Sequence, residues 1–359
     1  MLASIFGTAG IVGGEFLLSA KSPGFIVGPF AKLLGAVFNL LFNIVYGLTP
    51  AASLAITIIL FTVIVRACLV PLMVKSHKST YMMQKIQPEM TKIQNKYKGK
   101  NDPQSQQKMA YEIQKLQKDN GVSMLGGCLP MLIQLPILYA MFYIFQQAFN
   151  YVDVISVLYN EITEILMAIP VAERVELLKP IALAHSMSMD LGVEADMFGL
   201  VNVLTKADWT SILSNASAEV SALLAPLAEN KNAIEYFFGI SLVNNAGWKF
   251  PGIILPILAG FTTYLSTKIQ TDRQNKAKEK GPKNATADSI NGSMNTMMMI
   301  MPFFMAFICL SMPAALGLYW TIGNVIQIIT SWALNKIFDK KFGEVIVSGD
   351  KDVIDVKTK

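Results

Sequence analysis

Five long apolar runs constrain this chain more than any other feature of its sequence. They cover residues 51–74, 124–149, 251–269, 295–312 and 314–335. A helix that rises 1.5 Å per residue needs about 20 apolar residues to cross a hydrocarbon layer about 30 Å thick, and each run is close to that length. Because backbone polar groups must bond internally in lipid, the runs predict five transmembrane helices in an all-α integral membrane protein.

The overall composition agrees with a membrane protein and excludes several kinds of site. Hydrophobic residues make up 53% of the 359 residues and charged residues only 15%, too apolar for an ordinary soluble protein. Three cysteines, Cys68, Cys128 and Cys309, lie far from each other and from the two histidines. Neither a disulfide framework nor a zinc site is expected, and no cofactor is predicted.

The segments between the apolar runs alternate in charge. Residues 75–122 carry ten lysines and four acidic residues, whereas residues 150–235 carry twelve acidic and four basic residues. Cationic loops stay in the cytoplasm, so the charges predict a cytoplasmic segment 75–122, a long outer loop 150–250, a cytoplasmic loop 270–294 and a cytoplasmic tail 336–359. The N-terminal segment 1–24 is then outside. Its first twenty residues have no cationic region and no cysteine, so neither a conventional signal peptide nor a lipid anchor is expected.

Residues 25–46 form a further apolar run with one weakly polar stripe. Lys32, Ala36, Asn39 and Asn43 recur at spacings of four, three and four. This pattern favours an amphipathic helix that lies in the outer membrane interface. A sixth transmembrane span is the alternative, and charge sorting is compatible with both.

The basic segment 75–122 has the pattern of a helical hairpin. One apolar stripe precedes the break at Gly99, and a second follows Asp102, which can cap a helix that starts at Pro103. The stripes consist of Met82, Ile86, Met90, Ile93 and Tyr97, and of Met109, Ile113 and Leu116. We expect two short antiparallel helices on the inner face of the membrane that act as a moving or docking element. A solvated connector without a partner is the alternative.

Arg66 is the only charged residue between Ala51 and Val74. A cation near the bilayer centre costs about 2.5 to 3.5 kcal/mol on insertion scales, and eight residues, roughly 12 Å of helix, separate Arg66 from Val74. The side chain could reach the cytoplasmic interface, but Thr62 lies one turn earlier on the same face and favours a polar strip that faces a wet cavity. The other predicted spans contain no acidic residue, so Arg66 then needs water, carbonyl groups or an arriving acidic ligand to solvate its charge.

Further polar side chains in the spans are candidates for the same cavity. They are Gln134, Thr263, Ser266, Tyr319, Trp320, Asn324 and Gln327. Each of them could equally bond or pack against a neighbouring helix. The run 295–312 is rich in methionine, which suits either a surface that accommodates varied partners or ordinary core filling.

These features resemble the YidC, Oxa and Alb family of membrane insertases, in its shorter form without a large folded outer domain. The resemblance rests on FTVIVRACLVPLMVKSHKS at 61–79, IQPEMTKIQNKYKGK at 86–100, GGCLPMLIQLPILYAMFYIF at 126–145, LPILAGFTTYLSTKIQ at 255–270 and MPAALGLYWTIGNVIQIIT at 312–330. It implies a hydrophilic groove centred on Arg66 with Thr62 and Trp320 in its wall, an interfacial helix at 25–46 and a mobile cytoplasmic hairpin. Two departures stand out: Ser123 and Met124 replace the usual Asn-Pro, and the outer loop is long.

The resemblance implies an insertase of the bacterial plasma membrane rather than an enzyme. Its expected partners are nascent membrane proteins, the Sec translocon, the lipid bilayer, and a ribosome or signal-recognition receptor at the basic hairpin and tail. Two other classes of protein fit less well. A secondary transporter would show internal repeats, and an intramembrane enzyme would need paired acids, an activated nucleophile or metal ligands within the spans.

Overall fold

The computed structural model describes residues 24–100, 102–122, 129–278 and 300–342, with side chains for 28–100, 102–122, 134–272 and 300–342. Outside these ranges lie the N-terminal segment 1–23, the entry to the second predicted span, most of the loop 270–294, the start of the fourth predicted span and most of the tail. The described chain is predominantly helical, as the sequence predicts. Its described residues form two compact units, residues 24–64, 134–259 and 306–322, and residues 65–100, 102–122, 129–133, 260–278, 300–305 and 323–342.

The described α-helices are numbered in chain order. They are α1 (Gly24–Leu48), α2 (Ser53–Lys96), α3 (Pro103–Asp119), α4 (Leu129–Gln146), α5 (Asp153–Ala168), α6 (Val171–Ala184), α7 (Glu194–Val203), α8 (Lys206–Asn215), α9 (Ala218–Glu235), α10 (Ile254–Lys278), α11 (Ile300–Leu310) and α12 (Ala314–Phe342). A 3₁₀ turn at Ala148–Asn150 follows α4, and a small hairpin of β1 (Tyr236–Phe237) and β2 (Ile240–Ser241) follows α9.

Two of the described helical stretches are long and apolar enough, by length and composition, to cross a membrane. They are Gly28–Leu48 within α1 and the whole of α2, and the apolar helix α11 is shorter. The sequence predicts a span at 51–74 followed by a separate hairpin helix, but α2 continues without a break through Pro71 and Pro88 to Lys96. A helix of 44 residues is about 66 Å long, twice the hydrocarbon thickness, so α2 reaches well beyond the predicted span.

The first unit is built on an aromatic core shared by α1, α2, α4 and α12. The ring of Phe38 makes edge contacts with the rings of Phe61 and Phe145, and Phe145 in turn contacts Tyr319. Gly35 faces the ring of Tyr151, where a β-carbon at position 35 would lie 2.5 Å from the ring. These contacts bring one face of α1 into the core, while its residues Leu33, Leu40, Ile44 and Leu48 stay exposed.

The outer region, residues 150–250, also belongs to the first unit and has its own core. Tyr159 on α5 contacts Phe149 and Phe198, and buried apolar residues of α5, α7, α8 and α9 surround it. Thr205 and Asp208 form a reciprocal capping box at the start of α8, which satisfies two helix-end amides. The acidic residues of this region predicted an outer loop but not its folded core.

The second unit contains the rest of α2, with α3, most of α10 and the C-terminal part of α12. Its core consists of Tyr81, Met82, Ile86, Val122, Leu334 and Phe338. Asp102 caps α3 by accepting the Ser105 amide at 2.8 Å, and Gly121 ends it with a φ of 65°. Glu112 on α3 accepts hydrogen bonds from Lys96 at 2.7 Å and Tyr97 at 2.8 Å. The two basic helical stretches therefore contact each other on either side of Gly99.

Candidate functional site

Arg66 lies half-buried on α2, within a polar network made with α12. Its Nη1 donates to the side-chain oxygen of Gln327 at 3.4 Å, a long and therefore weak hydrogen bond. The glycine at 323 lets the guanidinium approach the helix backbone, because a β-carbon there would lie 2.8 Å from Nη2 of Arg66. Thus α12 places a neutral amide, Gln327, and a residue without a side chain, Gly323, beside the arginine.

Gln327 connects Arg66 to His77 and Ser331. Its side-chain nitrogen lies 3.2 Å from Nε2 of His77 and 3.2 Å from Oγ of Ser331. Since the oxygen of Gln327 accepts from Arg66, the nitrogen is the donor to both partners, and Nε2 of His77 acts as an acceptor. An amide that bonds on both ends is held in one orientation, so Gln327 presents its oxygen to the cation.

Polar side chains of α10 meet the neighbouring face of α12. The Asn324 amide donates to the hydroxyls of Thr263 at 2.8 Å and Thr262 at 3.1 Å. This pair of contacts is the helix-to-helix bonding that the sequence left open for Asn324 and Thr263. It adds neutral hydrogen-bonding groups to the second unit.

The other predicted groove residues lie in the first unit and make contacts there. Gln134 on α4 donates to the Tyr319 hydroxyl at 3.2 Å, so these two predicted residues meet within the first unit. Thr62 is fully buried, and its hydroxyl donates to the carbonyl of Ile58 at 2.6 Å on its own helix. Trp320 is half-buried next to Tyr319 on α12.

Three members of the network, His77, Gly323 and Ser331, are not among the groove residues predicted from the sequence. His77 is half-buried beside Gln327 and Ser331. On α12 a sequence signal existed, because Gly323, Gln327 and Ser331 recur every four residues on one face of the helix.

The network contains hydrogen-bonding groups but no metal-binding cluster in the described ranges. No three His, Cys, Asp or Glu side chains converge within the described part of the chain. What the arrangement can do chemically is hold a cation beside neutral donors and acceptors, and so bind an anionic or polar group.

Comparison with known proteins identifies the family. A family model for the 60Kd inner membrane protein matches residues 45–341. The chain belongs to the 60Kd inner membrane protein family. This confirms the resemblance seen in the sequence and makes the chain an integral protein of the bacterial inner membrane.

Curated relatives within this family match along most of the chain. The membrane protein insertase YidC of Clostridium perfringens is 28% identical over 86% of this chain and 93% of its own length. The protein of the same name from Alkalihalophilus pseudofirmus is 27% identical over 86% of this chain and 79% of its own. Membrane protein insertase YidC 1 of Lactococcus lactis is 28% identical over 87% of this chain and 83% of its own. The 60Kd family match thus includes the outer region as well as α2 and α12.

Proposed function

We propose that this protein inserts nascent membrane proteins into the bacterial plasma membrane, through a hydrophilic groove centred on Arg66. The observation that carries the proposal is the position of Arg66, half-buried and bonded to the neutral amide of Gln327. Gln327 orients the guanidinium and, as a neutral amide, does not itself cancel the positive charge. The names of the curated relatives support the same activity.

The mechanism needs no covalent chemistry. In surroundings of low dielectric constant, a cation attracts an anionic segment more strongly than it does in water. Arg66 therefore draws the acidic or polar outer segment of a client into the inner half of the membrane, and water around the polar network lowers the barrier for that segment. The apolar part of the client then slides into lipid along the third and fifth spans. Thr62 and Trp320 remain predicted groove residues on the family resemblance, and Gln134 and Tyr319 remain predicted ones as polar residues within the spans.

The proposed topology has five spans with α1 in the outer interface. Asn39, in the middle of α1, donates to the carboxylate of Asp153 at 2.7 Å, and Asp153 begins the acidic outer region. Near the end of α1, the hydroxyl of Tyr46 lies 3.3 Å from the side-chain oxygen of Asn230 on α9. If α1 crossed the membrane, its midpoint would draw Asp153 into the hydrocarbon centre, where a carboxylate is strongly disfavoured. These contacts therefore favour the interfacial position over a sixth span.

Residues 75–122 form the proposed cytoplasmic hairpin. Its base is held by the hydrogen bond from Tyr81 to Asp339 at 2.9 Å and by the contact of Tyr81 with Phe338. Its tip around Gly99 carries the exposed residues Lys98 and Lys100. A held base with an exposed cationic tip suits docking to negatively charged partners. We propose that the hairpin docks to the ribosome or to the signal-recognition receptor. The Sec translocon is a proposed partner of the insertase as a whole.

Substitution of Arg66 tests the proposed mechanism. Reconstituted into liposomes, the Arg66→Ala variant should stall a client whose outer segment is acidic, whereas Arg66→Lys should retain part of the activity because it keeps the charge. A matched client with a neutral outer segment is the control for folding. Equal insertion of the acidic client by the Ala variant would remove the charge from the mechanism. Solute uptake by the same liposomes, without client insertion, would favour a transporter instead.

A further inference from the structure

Three large aromatic side chains protrude from two adjacent turns of the outer region. Phe238 is 85% exposed, Trp248 is 71% exposed and Phe250 is 82% exposed. The turns touch each other, since a β-carbon at Gly239 would lie 3.6 Å from the ring of Pro251. Isolated exposed apolar residues are common, but three aromatic rings on neighbouring turn tips form a surface patch.

The conformation of the first turn does not explain the presence of a phenylalanine. Phe238 and Gly239 connect β1 to β2 with φ values of 48° and 80°. Two-residue hairpin turns of this kind favour Asn-Gly, because asparagine tolerates the left-handed region far better than a bulky side chain does. An exposed phenylalanine is therefore unfavourable for the turn, and its ring, although it makes an edge contact with the neighbouring Phe237 ring, remains 85% exposed.

The second turn, which carries Trp248 and Phe250, lies at the outer ends of three proposed spans. The backbone amides of Ala246 and Gly247 donate to the carbonyls of Met312 and Leu310 at 3.2 Å, at the connection between α11 and α12. Ala314, at the start of α12, donates back to Asn244 at 2.9 Å. Only three residues separate Phe250 from α10, whose first turns expose Ile254, Ile257 and Leu258. Trp248 and Phe250 therefore lie at the depth where the outer helix ends meet water.

We propose that Phe238, Trp248 and Phe250 form an aromatic anchor that inserts into the outer membrane interface and holds the outer region against the phospholipid surface. Aromatic rings concentrate at the level of the headgroups, where one edge is apolar and the other is wet. The exposed Lys249 between two of the rings supplies a cation for phospholipid phosphates. The apolar face of α10 continues the anchor into the hydrocarbon layer. The anchor rests on the proposed topology but not on insertion activity.

Photocrosslinking tests the anchor directly. The full chain carrying benzoylphenylalanine at position 238, 248 or 250 is reconstituted into liposomes of phosphatidylethanolamine and phosphatidylglycerol. After irradiation, the adducts are identified and quantified by mass spectrometry. Leu183, 64% exposed on α6 of the same region, is the matched control position. We expect phospholipid adducts several-fold above the control at all three turn positions. Adduct levels equal to the control, or adducts to a second copy of the chain in place of lipid, would overturn the proposal.

A second variant separates the anchor from a structural role of Phe238. Phe238→Asn suits the left-handed turn, so the hairpin and the outer region stay folded while one ring is lost. Lipid adducts from benzoylphenylalanine at position 250 should then fall severalfold, with unchanged protease resistance of the outer region. Undiminished adduct formation would show that the three rings do not act together. Because no client is present, failure of the anchor and failure of the insertase mechanism give different results.

Discussion

The ammonium group of Lys231 lies 2.5 Å from the carboxylate of Glu235, one turn later on α9, and both side chains are completely buried. The other oxygen of Glu235 accepts from the hydroxyl of Tyr159 at 2.5 Å, and Lys231 also donates to the carbonyl of Leu204 at 3.2 Å. This network joins α5, α9 and the connection between α7 and α8. The buried pair therefore links three parts of the outer region through polar contacts.

Removal of one member of the pair should destabilise the outer region strongly. Lys231→Met leaves the Glu235 carboxylate buried without its cation, and a loss of about 3–5 kcal/mol is expected. The measurement is hydrogen exchange of the α5 and α9 amides in the reconstituted protein. The double variant Lys231→Met with Glu235→Leu should lose less than the two single variants combined, because no buried charge remains. Additive losses would contradict this account of the pair.

The cap of α8 should make the stability of the outer region depend on pH in acid. Burial disfavours the Asp208 carboxylate, but hydrogen bonds from the side chain and backbone of Thr205 and from His185 outweigh it, so the pKa of Asp208 lies below its usual value. The folded state then holds the carboxylate more tightly than the unfolded chain does. The stabilisation is complete above the ordinary aspartate pKa of about 3.9 and is lost as pH falls through the lower folded value.

Hydrogen exchange of the α8 amides, corrected for the intrinsic rate at each pH, measures this dependence. The Asp208→Asn variant should be less stable than the natural protein at neutral pH, and the difference should shrink as the pH falls below the ordinary aspartate range. A difference that stays constant through the acid range would rule out the carboxylate as its source.

The exposed faces of α1 provide a prediction about its position in the membrane. Ala36 and Asn43 are exposed on its polar stripe, whereas Leu40 and Ile44 are exposed on an apolar face. In a variant without native cysteines, a cysteine at position 36 or 43 should react with a membrane-impermeant maleimide added outside, and one at 40 or 44 should not. Protection of all four positions would indicate a sixth transmembrane span.

A structural feature could be predicted from the sequence when it depends on residues that are close together in the chain. Asp102 and Pro103 were predicted correctly as the cap and first residue of α3, because capping is decided by neighbours in the sequence. The apolar runs likewise revealed α2 and α12 by length alone. The continuity of α2 through Pro88 was not foreseen, since a proline disfavours a helix locally but tertiary packing of Met82 and Ile86 stabilises it.

Contacts between residues far apart in the sequence could not be predicted in the same way. The bonds of His77 and Arg66 to Gln327 span about 250 residues, and no local pattern specifies such a pairing. The core of the outer region could not be predicted for a similar reason. Its core depends on Lys231 and Glu235, which look like an ordinary surface pair at a spacing of four until Tyr159 and Leu204 cover them.

Gly323 should matter only through Arg66. A methyl group at position 323 meets the flexible end of the arginine, so Gly323→Ala should preserve the fold and displace the guanidinium. We expect reduced insertion of a client with an acidic outer segment. The reference substitution is Gly47→Ala, since a β-carbon at position 47 would meet nothing within 4 Å. In the Arg66→Ala background, Gly323→Ala should have no further effect, and an equal loss there would show that the glycine acts independently of the arginine.

A negative charge introduced at position 327 provides the sharpest test of the groove. Gln327→Glu places a carboxylate where the amide oxygen now lies, 3.4 Å from Nη1 of Arg66, and an ion pair in surroundings of low dielectric constant neutralises the cation. Insertion of an acidic client should therefore fall toward the level of Arg66→Ala, although Arg66 itself is unchanged. Gln327→Leu removes the hydrogen bond but keeps the positive charge, so it should retain much more activity. If the two variants insert the acidic client equally well, Gln327 matters only as a positioning group, and the net charge at Arg66 does not drive the capture of clients.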